Sequence, residues 1–289
     1  MRRRIILALL GLAAISALAG CGNSASSGPE ATEVVAGFYP LAWAAEQVGG
    51  GDADVKNLTP AGAEPHDLEL SVRDVERVRG ADFVLYLGAG FQPALEEAAR
   101  ETDGEALDLL GGLELLPGED EGHGLDPHVW LDPLRYAEVV ERIGEALGET
   151  ASAADVAARL RALDSEYERG LAGCERRELV TTHDAFGYLT ERYGLEAISI
   201  AGIAPEAEPS PRDLERVASL VRERGVTTIF IESLLSPEIG EAVARETGAH
   251  TAVLNPLEGL TEDELERGED YLSVMRTNLR ALREGLGCG

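Results

Sequence analysis

The sequence predicts an α/β protein of two lobes, each a parallel sheet with flanking helices, joined by one long linker helix. Three observations carry that prediction. Short apolar runs alternate with amphipathic segments of helical period, as in parallel sheets covered by helices. The alternation occurs twice along 289 residues, a length sufficient for two domains of ordinary size. Between the two halves lies a strongly helical stretch of about twenty residues, which would span about 30 Å at 1.5 Å per residue.

The first twenty residues are read as a secretory signal peptide (1–20). Arg2, Arg3 and Arg4 form a basic start, and Ile5 to Leu18 is an apolar run too short and wrongly flanked for a committed span. It ends Leu18-Ala19-Gly20-Cys21, which resembles a bacterial lipobox, so Cys21 is the expected lipidated first residue of the mature chain. Residues 21–30 include a Ser/Gly/Ala-rich stretch and read as a flexible tether. No later segment approaches the roughly 20 apolar residues of a spanning helix. The mature protein is therefore expected outside the cytoplasm, held to the membrane through the lipid alone.

In the first lobe (31–150), Thr32 to Phe38 reads as a strand and Pro40 to Val48 as a helix. Asp54 to Leu58 is a second strand, followed by a loop, Thr59 to Leu70, that delivers His66. Ser71 and Asp74 fit a capping pattern, and Val72, Val75 and Val78 would share one face of the helix that follows. Ala81 to Leu87 has the continuous apolar character of a buried parallel strand. Gln92 to Thr102 is a helix and Ala106 to Leu109 a short strand. Pro117 to Gly124 is a polar, Gly-rich loop holding His123 and the acids Glu119, Asp120 and Glu121. His128 then sits between two Asp-Pro steps, where each proline biases its Asp toward extended or turn backbone. Asp132 and Pro133 supply the N-cap and first position of a helix to Leu147.

The linker (151–173) carries Val156, Leu160, Leu163 and Tyr167 at helical spacing. In the second lobe (174–289), the expected strands are Glu178 to Thr182, Ala197 to Ile200, Thr227 to Ile231 and Thr251 to Leu254. The expected helices are Ala185 to Tyr193, Pro211 to Arg224, Pro237 to Thr247 and Glu269 to Glu284, and Ala204 to Pro211 is a Pro-rich loop. Cys174 and Cys288 would pin the C-terminal tail if they form a disulfide, which an extracytoplasmic compartment permits; two separate thiols are the alternative.

A net charge of −28 argues against a nucleic-acid backbone as partner and favours cations or neutral ligands. Of the five histidines, His66 and His183 follow predicted strands, and His128 lies on a loop before a helix. Ligands of open α/β sheets bind beyond the carboxyl ends of strands. Three imidazoles converging there suit Zn²⁺. His250 precedes a strand and is read as non-ligating, and Trp130 as core packing beside the site.

Four motifs occur in order: TPAGAEPHD (59–67), DPHVWLDP (126–133), THDAFGY (182–188) and LNPLEGL (254–260). Together they resemble the metal-binding, zinc/manganese solute-binding lipoproteins of ABC transporters, over essentially the whole mature chain. The resemblance implies a metal in the cleft between two lobes, captured outside the membrane and handed to an ABC permease, by a protein expected to be monomeric. It implies His66 and His128 as ligands from the first lobe and His183 from the second. Manganese-type members typically carry Glu at the third position, so His183 favours Zn²⁺ over Mn²⁺. The fourth ligand of many relatives is an Asp matched here by Asn255. Asn255 is one candidate, a turn residue before Pro256 is its other reading, and Glu64, Glu206 or Glu208 could complete the site instead. Glu232, just after a strand, is expected to hydrogen-bond a ligand imidazole. A His₃ site with an open position is also the arrangement of zinc hydrolases and lyases, but no HExxH pair or motif-placed general base accompanies it. An adhesin-like surface role is compatible with metal capture.

Overall fold

Parallel neighbours need a crossover between them, and this chain supplies a connection with a helix between successive strands in both sheets. The structure, a computed structural model, describes residues 31–118, 124–203, 205 and 209–289. The signal peptide, the tether with Cys21, residues 119–123 with His123, and Glu206 and Glu208 lie outside the described residues. The first lobe runs β1 (Thr32–Ala36), α1 (Tyr39–Gly49), β2 (Ala53–Asn57), α2 (Val72–Gly80), β3 (Phe83–Tyr86), α3 (Pro93–Ala99) and β4 (Glu105–Asp108). Its sheet has the order β2-β1-β3-β4, all parallel. After α4 (Pro133–Leu147) and α5 (Thr150–Leu171) come β5 (Glu178–Thr181), α6 (Gly187–Tyr193), β6 (Glu196–Ser199), α7 (Pro211–Arg224), β7 (Thr228–Ile231), α8 (Glu238–Thr247) and β8 (His250–Val253). The second sheet repeats the arrangement as β6-β5-β7-β8, again parallel. Two more helices, α9 (Glu262–Glu266) and α10 (Tyr271–Leu286), end the chain.

Each sheet therefore has a switch point between its two central strands, where connections leave in opposite directions. His183 leaves the end of β5, and Glu232 leaves the end of β7 beside it. The linker helix α5 buries Val156, Leu160, Leu163 and Tyr167. One apolar core continues from β1 through α1, α4 and α5 to α10, so the lobes share packing along the linker. Among the described residues no helix is long and apolar enough to cross a membrane.

Capping sets several helix starts as expected. Ser71 and Asp74 form a capping box on α2, and Asp132 accepts from the Leu134 N–H at the start of α4. The apolar face expected for α2 is only partly used: Val78 is buried, but Val72 and Val75 are 79% and 38% exposed. Strand β3 is shorter than its apolar run, since Ala81 and Leu87 are buried without belonging to the ladder. His250 is the first residue of β8 rather than its predecessor. The short helix α9, begun by a Thr261–Glu264 capping box, was not expected from periodicity.

Candidate metal centre

Four loops converge where the lobes meet. The His66 loop is held by Gln92, which is buried and whose amide donates to Gly37 O, Thr59 Oγ1 and Pro65 O. Gly62 turns in the left-handed region (φ 76°), and its N–H donates to Leu260 O of the second lobe. His128 follows Asp126-Pro127, and a short 3₁₀ turn (Val129–Leu131) carries the chain on to α4. The His128 N–H donates to Asp126 Oδ1, the local turn that an Asx-Pro step favours. The fourth loop leaves β8 as Leu254–Leu260, buried throughout, and presents Glu258.

Glu258 Oε1 lies at the centre of the group, 3.5 Å from His66 Nε2, 3.1 Å from His128 Nε2 and 3.2 Å from His183 Nε2. One ligand atom from each of the four residues lies within 4.8 Å of all the others. A tetrahedral zinc site with Zn–N bonds of about 2.0–2.1 Å has ligand–ligand edges of about 3.3 Å. The separations to Glu258 match that edge, so these donors fit a zinc-sized ion. His66 Nε2 and Glu258 Oε2 are buried without a hydrogen-bond partner, the state expected of groups whose partner is a cation.

Each buried histidine of the pair deepest in the site is oriented from behind by a carboxylate. Asp126 Oδ1 is 2.7 Å from His128 Nδ1, and Glu232 Oε2 is 2.6 Å from His183 Nδ1. A carboxylate can only accept, so the hydrogen bond to Asp126 puts the His128 proton on Nδ1, while Glu232 meets His183 Nδ1 as a close ion-pair contact; both Nε2 atoms face the centre. Glu232 also accepts from the His183 N–H and the Thr182 hydroxyl. Burial alone would depress all three imidazoles. For His183 the Glu232 and Glu258 carboxylates outweigh burial and hold its pKa well above the usual value, and for His128 Asp126 does the same more mildly. His66 lacks such a partner, and burial leaves its pKa lowered. Burial would raise Glu258, but the surrounding imidazoles, His183 foremost, hold it well below the usual carboxylate range.

The structure thus brings His66, His128 and His183 together, and it places Glu232 against His183. It engages Asn255 in a turn. Asn255 Oδ1 accepts from the Leu257 N–H at 2.7 Å, and its Nδ2 donates to Glu264 at 3.1 Å. The amide is spent on the turn, and Glu258, three residues on, reaches the centre instead. Glu64 stands at the margin, where its Oε1 accepts weakly from the His66 N–H (3.4 Å). Burial and the nearby Glu258 carboxylate push its pKa up to about 9; its Oε2 is buried without a hydrogen-bond partner, and it is not among the four residues whose ligand atoms gather within 4.8 Å. His250 lies at the surface, away from the group. Trp130 is packed among Phe38, Phe91 and His128, and also donates from Nε1 to Pro256 O.

Glu258, Asp126 and Gln92 had escaped the sequence reading. The signal for Glu258 was present: it is the one carboxylate in an otherwise apolar or neutral run, LNPLEGL, and a buried carboxylate requires a partner.

Residues 34–285 match the model of the family described as "ZnuA: Zinc-uptake complex component A periplasmic". The zinc-binding protein AdcA of Streptococcus pyogenes is 34% identical over 284 residues, covering 87% of this chain and 55% of its own length. The high-affinity zinc uptake system protein ZnuA of Bacillus subtilis is 31% identical, with 93% of each chain covered. The crystal structure of the Zn(II)-bound ZnuA-like domain of Streptococcus pneumoniae AdcA superposes with a TM-score of 0.75 at 34% identity, covering 89% of this chain and 99% of that one. The chain spans little more than half the length of the AdcA relatives it matches.

Proposed function

This chain belongs to the ZnuA family of periplasmic zinc-uptake component A proteins, and on that premise we propose that it captures Zn²⁺ between its lobes and delivers it to the permease of an ABC transporter. One observation carries the reading: three imidazole nitrogens ring one carboxylate oxygen at the edge lengths of a zinc tetrahedron, with two lobes contributing. His66, His128, His183 and Glu258 are the ligands in this reading, and Asp126 and Glu232 orient His128 and His183. Three imidazoles with one carboxylate suit zinc better than manganese, which favours oxygen ligands. Four protein ligands fill the tetrahedron, whereas catalytic zinc keeps a position for water. That favours binding over hydrolysis. The protein works as a monomer outside the cytoplasm, tethered through lipidated Cys21, with the permease as its partner.

Calorimetric titration of residues 31–289, stripped with chelator, tests the proposal. One Zn²⁺ per chain is expected to bind tightly and Mn²⁺ far more weakly, with His183→Ala weakening zinc at least 100-fold. Unchanged zinc affinity in His183→Ala, or a preference for manganese, would overturn it.

A further inference from the structure

The loop that carries Glu258 belongs by chain order to the second lobe, yet the first lobe grips it. Within it Leu257 is buried and holds φ at +59°, a left-handed backbone that residues other than glycine rarely adopt. Such a conformation persists only where its surroundings over-determine it. Three contacts do so. The Leu257 N–H donates to Asn255 Oδ1. Asn278 of α10 brackets Asn255, accepting from its N–H at 2.9 Å and donating to its carbonyl at 2.6 Å. From the other lobe, the Trp130 indole donates to the carbonyl just before Leu257, Pro256 O, at 2.7 Å.

Trp130 is itself buried. Its ring is 4.8 Å from Phe38 and 5.1 Å from His128, and its carbonyl accepts from the Tyr271 hydroxyl. It lies two residues after His128, so one stretch of chain holds a ligand histidine and the loop of the fourth ligand together. We propose that Trp130 is a positioning residue for Glu258: its indole N–H, donated across the lobe boundary to Pro256 O, holds Leu257 in the left-handed turn that aims the carboxylate at the three imidazoles. The proposal rests on Glu258 being a metal ligand. Core packing would need only the ring, while this role needs the N–H as well.

The test is a double-mutant cycle of Trp130→Phe and Glu258→Ala in the intact mature chain. Zinc affinity is read by chelator competition, and the visible spectrum of the Co²⁺-loaded protein reads coordination geometry. Trp130→Phe is expected to weaken zinc 10–100-fold and to alter the Co²⁺ spectrum, as loss of a ligand-orienting group does. In the Glu258→Ala background the same substitution is expected to change affinity by less than about twofold, since nothing remains to position. Equal weakening in both backgrounds, or no weakening beside an intact Glu258, would overturn the positioning role. Unchanged zinc affinity in Glu258→Ala would overturn the ligand assignment, and this proposal with it. If Trp130→Phe does not fold, the benzothiophene analogue of tryptophan at this position keeps the shape without the N–H and takes its place in the cycle.

Discussion

At Gly187 a methyl group would press on a buried carboxylate. A Cβ built there would lie 2.7 Å from Asp126 Oδ2, the carboxylate that orients His128. Next to it, the Tyr188 hydroxyl donates to Asp126 O and accepts from the Leu116 N–H, so the THDAFGY motif of the second lobe clasps the DPH motif of the first. Two effects oppose each other in Gly187→Ala. Helix propensity favours alanine at the start of α6 by up to about 1 kcal/mol. Displacing Asp126 costs about 1–3 kcal/mol of packing and frees the His128 ring. The second wins if the clash cannot relax, so Gly187→Ala is expected to weaken zinc about 10–100-fold by chelator competition. An affinity equal to wild type would show that Asp126 yields without consequence. At this scale the sequence was legible for the three histidines, because His183 follows a recognisable strand directly, His128 lies between two Asp-Pro steps and His66 lies in the loop that follows a strand. At Asn255 it left two readings open. The structure shows the turn, with its amide oxygen accepting from the Leu257 N–H, but no one-dimensional pattern points to Glu258, three residues on.

Among the elements, α4, α5 and α6 meet at an ionic cluster that joins both lobes to the linker. Arg192 of α6 lies 2.5 Å from Asp164 of α5 and 3.4 Å from Asp132, the N-cap of α4. The Tyr193 hydroxyl also donates to Asp164. Arg135 of α4 pairs with Glu191 of α6 at 2.9 Å and stacks over Tyr188. Asp164 and Asp132 are buried, so removing their shared guanidinium leaves two carboxylates poorly compensated. Arg192→Ala is expected to lower stability by about 2–4 kcal/mol, read as a shift in the urea midpoint at unchanged slope. Arg192→Lys recovers only part of this, because one ammonium cannot reproduce the planar fork. A midpoint within about 0.5 kcal/mol of wild type would show the cluster to be solvated surface charge. The helices themselves were legible because their ends are written in capping residues: α4 and α7 run as expected, and α5 begins one residue before the expected linker. The ion cluster was not legible, because its members are far apart in sequence and look like ordinary helix-surface charges.

For the whole molecule, the two sheets and the shared core along α5 and α10 make the lobes one packed body. Tyr167 of α5 donates to Met275 O of α10, and Arg276 of α10 pairs with Glu166 through both of its carboxylate oxygens. The structure joins Cys174 to Cys288, closing the second lobe across a sequence separation of 114 residues. In the chain-entropy limit such a loop contributes about 4–5 kcal/mol. Reduction is therefore expected to lower the thermal midpoint on the order of 10 °C, and no change would contradict a formed bond. The two-lobed architecture could be read from alternation and length alone. The metal centre could be read only in part, since it exists where four loops from two sheets meet. Three contacts hold these segments together across the boundary: Gly62 to Leu260, Trp130 to Pro256 and Tyr188 to Asp126. The central claim is that one zinc ion sits among His66, His128, His183 and Glu258. Anomalous diffraction at the zinc edge, from crystals of residues 31–289 loaded with one equivalent, tests it most directly. The expected result is one strong peak bonded to the three Nε2 atoms and a Glu258 oxygen, with Asn255 still turned to Leu257. A peak elsewhere, or one bonded to Asn255 or to water in place of Glu258, would contradict it.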